Sequence, residues 1–221
     1  EEIDDMFDAE NPTVAPYAKS GEVRLRITAK AETADEADKM CAPVVDEICR
    51  RLGDVVYGTD MNSIEERVVA LLKEKGKKIA TAESCTAGYI PKRLTDIPGA
   101  SEVFECGIVS YSNDIKTKLL GVSPKTLETY GAVSEQTARE MALGAKRVSG
   151  ADIAISTTGL AGPGGDGVLP GGLSFVAVTD GDRVFVEKIV TGHENDREYN
   201  RHVTATRALN LARIMLEEKI K

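Results

Sequence analysis

The sequence predicts an α/β sandwich, a mixed and mostly parallel sheet flanked by helices, with a small β-α-β segment ahead of it. Three observations predict this. From residue 63 onward, segments of helical period alternate with apolar strand-like runs, as in a sheet whose crossovers are helices. Later, "GLSFVAVTD" (172–180) and "RVFVEKIV" (183–190) flank a Gly-Asp pair, a hairpin signal that adds antiparallel strands. Finally, 221 residues with 42% hydrophobic and 29% charged side chains have globular composition and can bury one good core.

The elements follow in order. Residues 1–21 read as an acidic lead-in and loop, with Pro12 and Pro16 set against helix. "EVRLRITAKA" (22–31) alternates like a half-buried strand, and residues 33–52 carry helical spacing behind Thr33 as N-cap. "DVVYG" (54–58) reads as a short returning strand, and the domain boundary falls at 60/61. Ser63 with Glu66 forms a capping box for the next helix, whose apolar face is Ile64, Val68, Leu71 and Leu72, and Gly76 ends it. Strands are expected at 78–83, 102–111 and 151–159, and helices at 86–99, 134–150 and roughly 195–220. Pro91 is tolerable only near the start of its helix.

Composition narrows function. The net charge of −8 repels phosphate backbones, and "KEKGKK" (73–78) reads as a lysine-rich helix end, so no nucleic-acid partner is expected. No apolar run approaches the ~18 residues of a membrane span, so no membrane partner is expected either. The four cysteines show no CxxC spacing and read as free thiols in a reducing, cytoplasmic setting. No cluster of His, Cys, Asp and Glu stands at metal-ligand spacing, so neither metal nor cofactor is expected. The opening "EEIDDMFDAENP" lacks an initiator methionine and reads as part of a longer polypeptide.

Three stretches carry chemistry. "KIATAESCTAGYI" runs from apolar strand through a small polar turn into a helix. Ser84 there is either a nucleophile aimed past the sheet's carboxyl end or, like Thr86, a helix cap. The two histidines, His193 and His202, both lie near the C-terminus, which makes a Ser-His-Asp triad weak and leaves a lysine as base. "YSNDIK" (111–116) reaches the same edge if its strand lies parallel beside 78–83. Lys116 then serves as base, Tyr111 relays a proton or stacks on a ring, and Asn113 holds an amide or hydroxyl; otherwise the stretch is a solvated turn. "TTGLAGPGGDGVLPGG" (157–172) holds seven glycines in sixteen residues and is either a flexible loop or a phosphate or ribose cradle. Arg197 and Arg201, one turn apart, suit a phosphate or merely solvate a helix.

Taken together, "TAESCTAG", "VFECGIVSYSNDIKTKLLGV", "GAVSEQTAREMALGA" and "TTGLAGP" resemble the C-terminal domain of the competence/damage-inducible CinA family. "NPTVAPYAKSGEVRLRITAKA" and "LGDVVYGTD" resemble the KH-like segment that precedes it, although no GxxG loop of an RNA-binding KH module is present. The family's N-terminal molybdopterin-binding-like domain, the seat of its pyrophosphatase activity, has no counterpart in these residues.

The resemblance implies domains at 1–60 and 61–221 and a metal-free amidohydrolase. Its substrate is nicotinamide mononucleotide, hydrolysed at the carboxamide to the acid and ammonia, in recycling of pyridine nucleotides. Ser84 matches the nucleophile and Lys116 the base, with Tyr111 and Asn113 in the same motif. Thr86 and Gly88 belong to the oxyanion turn. Thr157, Thr158, Gly159 and Gly162 match the glycine loop, and Arg197 and Arg201 match a basic helix start facing the 5′-phosphate. A homo-oligomer, dimer or higher, is expected. Ala87 departs from the family's usual glycine there, the glycine loop is shorter, and the approach to Arg197 is longer. The competing reading is a non-catalytic module that senses a pyridine nucleotide or a protein partner; intact Ser84 and Lys116 favour the enzyme.

Overall fold

The computed structural model describes residues 2–19 and 21–219. They divide into two compact units, Glu1–Met61 and Asn62–Lys221.

In the first unit, β1 (Thr13–Lys19) pairs antiparallel with β2 (Glu22–Thr28), from Thr13 opposite Thr28 to Lys19 opposite Glu22. Helix α1 (Ala34–Leu52) follows, closed at its start by a full capping box between Thr33 and Glu36. Two expectations are corrected. The supposed loop at 13–19 is a strand; Pro16 is accommodated because each strand of a two-stranded ribbon has an open edge. The supposed strand at 54–58 is a 3₁₀ turn over Gly53–Val55, with no strand pairing to it among the described residues. The order is therefore β-β-α.

The second unit is a five-stranded sheet in the order β4-β3-β5-β6-β7. These strands are β3 (Ile79–Glu83), β4 (Phe104–Val109), β5 (Ile153–Gly159), β6 (Leu173–Thr179) and β7 (Val184–Val190). β3 runs parallel to both β4 and β5; β6 and β7 join by antiparallel pairing, so only β6 opposes the other strands. Helices α4 (Asn113–Leu120), α5 (Pro124–Tyr130) and α6 (Glu135–Ser149) cover one face. Helices α2 (Ile64–Glu74), α3 (Tyr89–Thr95) and α7 (Arg197–Leu216) cover the other.

The period of two along β3 decides which face each residue serves. Ala80 and Ala82 pack against Met141 and Ala145 of α6 and Leu120 of α4. Ser84 continues that row toward α4, while Thr81 and Glu83 point to the side of α3 and α7. Small residues let the layers approach closely: Ala138 and Ala142 of α6 meet Ala177 of β6. A Cβ on Gly144 would collide with the Leu120 carbonyl, so α4 sits against bare backbone there. On the other face, Arg93 of α3 is buried in an ion pair with Glu65 of α2 and donates to Thr206 of α7 at 2.8 Å. This ties three helices into one layer.

Helices α4 and α5 replace the expected turn after residue 111. Their signals are local: the Ser112 hydroxyl accepts from the Ile115 N–H at 3.3 Å, Gly121 ends α4 at φ 66°, and Pro124 opens α5. The helix expected over 86–99 spans only Tyr89–Thr95, because Ala87 (φ 48°) and Gly88 (φ 86°) hold left-handed backbone ahead of it.

Candidate active site

Strands β3, β4 and β5 end together, and a cleft of about 340 Å³ opens where they stop. Ser84 follows β3 directly, and its N–H is held by the Thr157 carbonyl of β5 at 2.9 Å. Its hydroxyl lies 3.0 Å from Lys116 Nζ. Lys116 sits on the first turn of α4, only 1% exposed, and its Nζ also donates to the Ser110 carbonyl at 2.9 Å and the Tyr111 carbonyl at 3.2 Å.

That coordination decides what the amine can do. A protonated lysine has three N–H donors, and here all three find oxygen. A neutral lysine has two donors and one lone pair. The two carbonyls can only accept, so they keep the two donors, and the lone pair falls toward Ser84 Oγ. Burial lowers the Lys116 pKa below that of an ordinary lysine. Burial thus favours the neutral amine, and the two carbonyls aim its lone pair at the serine.

Cys85, the next residue, does not compete for the nucleophile's role. Burial pushes its thiol pKa up to about 12, so it stays protonated at neutral pH. It lines the cleft, and its N–H has no backbone acceptor among the described residues, the position an oxyanion donor occupies after a nucleophile.

The remaining expected residues separate into two groups. Tyr111, Thr158, Gly159, Gly162 and Arg197 line the cleft with Ser84 and Lys116. Arg197 spans its mouth, donating to the Gly162 carbonyl at 2.7 Å and to the Tyr111 hydroxyl at 3.3 Å. The Thr158 hydroxyl is committed to the Ala132 carbonyl at 2.6 Å, so Thr158 offers shape and not a free donor. The glycines have steric reasons: a Cβ on Gly159 would meet Ser174 at 2.5 Å, and one on Gly162 would strike the Glu194 carbonyl. Buried Asn200 holds the loop from α7, donating to the Ala161 carbonyl at 2.9 Å.

Five expected residues lie outside the lining. Thr157 and Thr86 are fully buried and hydrogen-bond each other at 2.6 Å, fastening the turn to β5. Gly88 is the left-handed start of α3, and neither Ser84 nor Thr86 caps that helix. Asn113, exposed on α4, borders a separate depression with Asp114, Thr117 and Pro124. Arg201 departs most from expectation. It donates to the Thr86 carbonyl at 2.6 Å and lies over the Tyr89 ring at 5.7 Å, so it braces the nucleophile turn from α7. His202 bonds Tyr89, its Nδ1 3.1 Å from the hydroxyl, and neither histidine lines the cleft.

Sequence reasoning passed over Glu83. It is fully buried beside Ser84, and its carboxylate accepts from the Ile90 N–H at 3.2 Å. The signal was there: a charged residue inside the strand "IATAE" must be buried with partners.

Charge in the cleft is lopsided. Its lining holds the cation Arg197 but no carboxylate, on a chain whose net charge is −8. A small anion is the ligand that such a lining favours. Among the described residues no group of His, Cys, Asp and Glu could hold a metal ion, and no helix is long and apolar enough to cross a membrane.

Comparison with known proteins agrees with this architecture. The CinA C-terminal domain matches residues 61–216, and the damage-inducible protein CinA KH domain matches residues 1–58. A CinA-like protein of Desulfovibrio desulfuricans is 46% identical over 96% of this chain and 50% of its own length. A putative competence-damage inducible protein of Clostridium beijerinckii is 50% identical over 98% of this chain and 53% of its own. The chain thus spans about half the length of the curated relatives it matches. Among solved structures, the competence/damage inducible protein CihA of Agrobacterium tumefaciens aligns with a TM-score of 0.67 at 39% identity, over 72% of this chain and 99% of its own. The chain belongs to the CinA family.

Proposed function

We propose that the unit from residue 62 onward hydrolyses the carboxamide of nicotinamide mononucleotide, giving nicotinate mononucleotide and ammonia. The observation that carries this reading is the Ser84–Lys116 contact at 3.0 Å, with both remaining Nζ contacts on carbonyls. A pure binding module needs no desolvated lysine aimed at a serine.

The steps follow from that geometry. Ser84 Oγ attacks the carboxamide carbon while its proton passes to Lys116 Nζ. The oxyanion is received by the Cys85 N–H. Lys116 then returns the proton to the departing nitrogen, ammonia leaves, and an ester on Ser84 remains. Water attacks that ester, Lys116 takes the water's proton, and the proton goes back to Ser84 Oγ as the acid departs. Arg197 binds the 5′-phosphate at the mouth, exchanging its Tyr111 contact for a charge-assisted one. Tyr111, 60% exposed, offers its ring to the pyridine. A cleft of about 340 Å³ falls at the small end of ligand sites, fitting a mononucleotide.

The test is ammonia release from nicotinamide mononucleotide, measured for the chain and for Ser84→Ala with EDTA present throughout. Release by the chain and none by Ser84→Ala is expected. Release by Ser84→Ala, or activity that EDTA removes and a divalent ion restores, contradicts the reading.

A further inference from the structure

We infer that Glu83 is a positioning residue, one that holds the 84–88 turn in the form that points Ser84 Oγ at Lys116. The inference rests on Ser84 being the nucleophile. Three observations carry it. First, the turn is not self-sustaining: Ala87 and Gly88 are consecutive left-handed residues, at φ 48° and 86°, and the first of them has a Cβ. Second, Glu83 gathers the turn's loose donors. Its carboxylate accepts the Ile90 N–H at 3.2 Å, and the nearby Thr86 hydroxyl and Gly88 N–H favour its ionised form. The Ile90 and Gly88 amides are among those a helix start leaves without a partner, whereas the Tyr89 N–H is held by the Thr86 carbonyl at 3.2 Å. Third, the main chain of the same residue fixes the other half of the site. The Glu83 carbonyl accepts the Ser110 N–H at 2.8 Å, and the Ser110 carbonyl accepts from Lys116 Nζ at 2.9 Å. One residue therefore registers the nucleophile's turn and the base's anchor.

Glu83 does not touch the reacting atoms. It points to the α3 and α7 side of the sheet, whereas Ser84 points to the α4 side. Burial raises the Glu83 pKa, and the groups that oppose this most are neutral donors of its own turn. A buried carboxyl without a leading cationic partner is costly to keep, so apolar packing alone does not explain it. Its effect on catalysis comes through geometry, where about 1 Å of misplacement costs about 100-fold in rate.

The experiment uses the full chain and a serine-reactive phosphonofluoridate, so that the readout does not depend on the identity of the natural substrate. Rate constants for labelling Ser84 are measured for the wild type, Glu83→Gln and Glu83→Ala, along with circular dichroism and kcat and KM for nicotinamide mononucleotide. Glu83→Gln keeps the shape and one acceptor oxygen, and decides the matter if Glu83→Ala does not fold. The expected result is folded variants that label to one group per chain, but with labelling and kcat slowed in parallel, about 10-fold to 100-fold, and KM within threefold. A rate lost only in proportion to the fraction of folded chain, or a folded Glu83→Gln that labels as fast as wild type, overturns the inference. A wild-type chain that is not labelled at Ser84 removes the nucleophile, and the inference with it.

Discussion

At the scale of single residues, function turns on how two cations are used. Arg197 lines the cleft and Arg201 does not, though the sequence sets them as equals one turn apart. Arg197→Ala is expected to raise KM for nicotinamide mononucleotide about 10-fold to 100-fold with kcat little changed, as for a charge-assisted contact made equally in ground and transition states. Nicotinamide riboside, which lacks the phosphate, should not register the change; equal losses on both substrates would remove Arg197 from the phosphate. Arg201→Ala is expected to do the opposite, lowering kcat about tenfold through the Thr86 carbonyl and leaving KM nearly unchanged. A steady-state comparison of the two variants checks both. Ala87 gives a stability prediction. Its φ of 48° costs about 1–2 kcal/mol for a residue with a Cβ, more than the extra chain entropy glycine loses on folding, about 0.5–1 kcal/mol. Ala87→Gly should therefore raise the melting temperature by about 1–4 °C, and a lower melting temperature would contradict it. The Ser84–Lys116 pairing was legible only in part: few groups were left to activate a serine, but the strand adjacency was an assumption, and the family resemblance favoured the pair over a helix cap and a solvated turn. Arg201's role was not, since spacing on a helix says which residues share a face but not what that face meets.

At the scale of elements, α4 is the piece that matters, and the sequence pattern alone reads there as a solvated turn. Its cap and stop signals, Ser112 and Gly121, are present, but an eight-residue helix with three charged residues is too short for a long apolar stripe to mark it. What fixes α4 is tertiary: Leu120 and Val122 pack in the core beside Met141, and Gly144 of α6 leaves room for the Leu120 carbonyl. Gly144→Ala is expected to cost about 1–3 kcal/mol by overpacking, outweighing the ~1 kcal/mol that alanine gains in a helix. It should also slow turnover, because Lys116 sits one turn before Leu120. Thermal melting and kcat together check this, and an undisturbed kcat with a lowered melting temperature would show that α4 does not transmit the shift. The strands of the sheet were legible because each was an apolar run bounded by turn residues. Strand β1 was not, because Pro12 and Pro16 imitate a loop unless an open ribbon edge is known to be available.

At the scale of the whole molecule, the cleft belongs entirely to the larger of the two units. Solved relatives such as the Agrobacterium protein align over 99% of their own length with 72% of this chain, so the larger unit exists elsewhere as a folded chain by itself. Residues 62–221 alone are therefore expected to fold and to keep kcat within about threefold, since every cleft residue belongs to that unit. Loss of turnover in a folded 62–221 fragment would assign part of the site to the first unit. The sign of the pH dependence follows from burial. Because the Lys116 pKa is lowered, the neutral amine becomes available below the usual lysine range, so kcat/KM should rise with pH through that lowered pKa and then level off. Stability should rise with pH between the lowered pKa and the ordinary lysine value, where the unfolded chain binds the extra proton. The central claim is that Lys116 acts as a base and not as a fixed charge, and kcat for ammonia release by Lys116→Arg tests it most directly. Arginine keeps the charge and cannot lose its proton, so the account predicts a loss of about 100-fold or more, as large as for Lys116→Ala. Near-normal turnover by Lys116→Arg would contradict it.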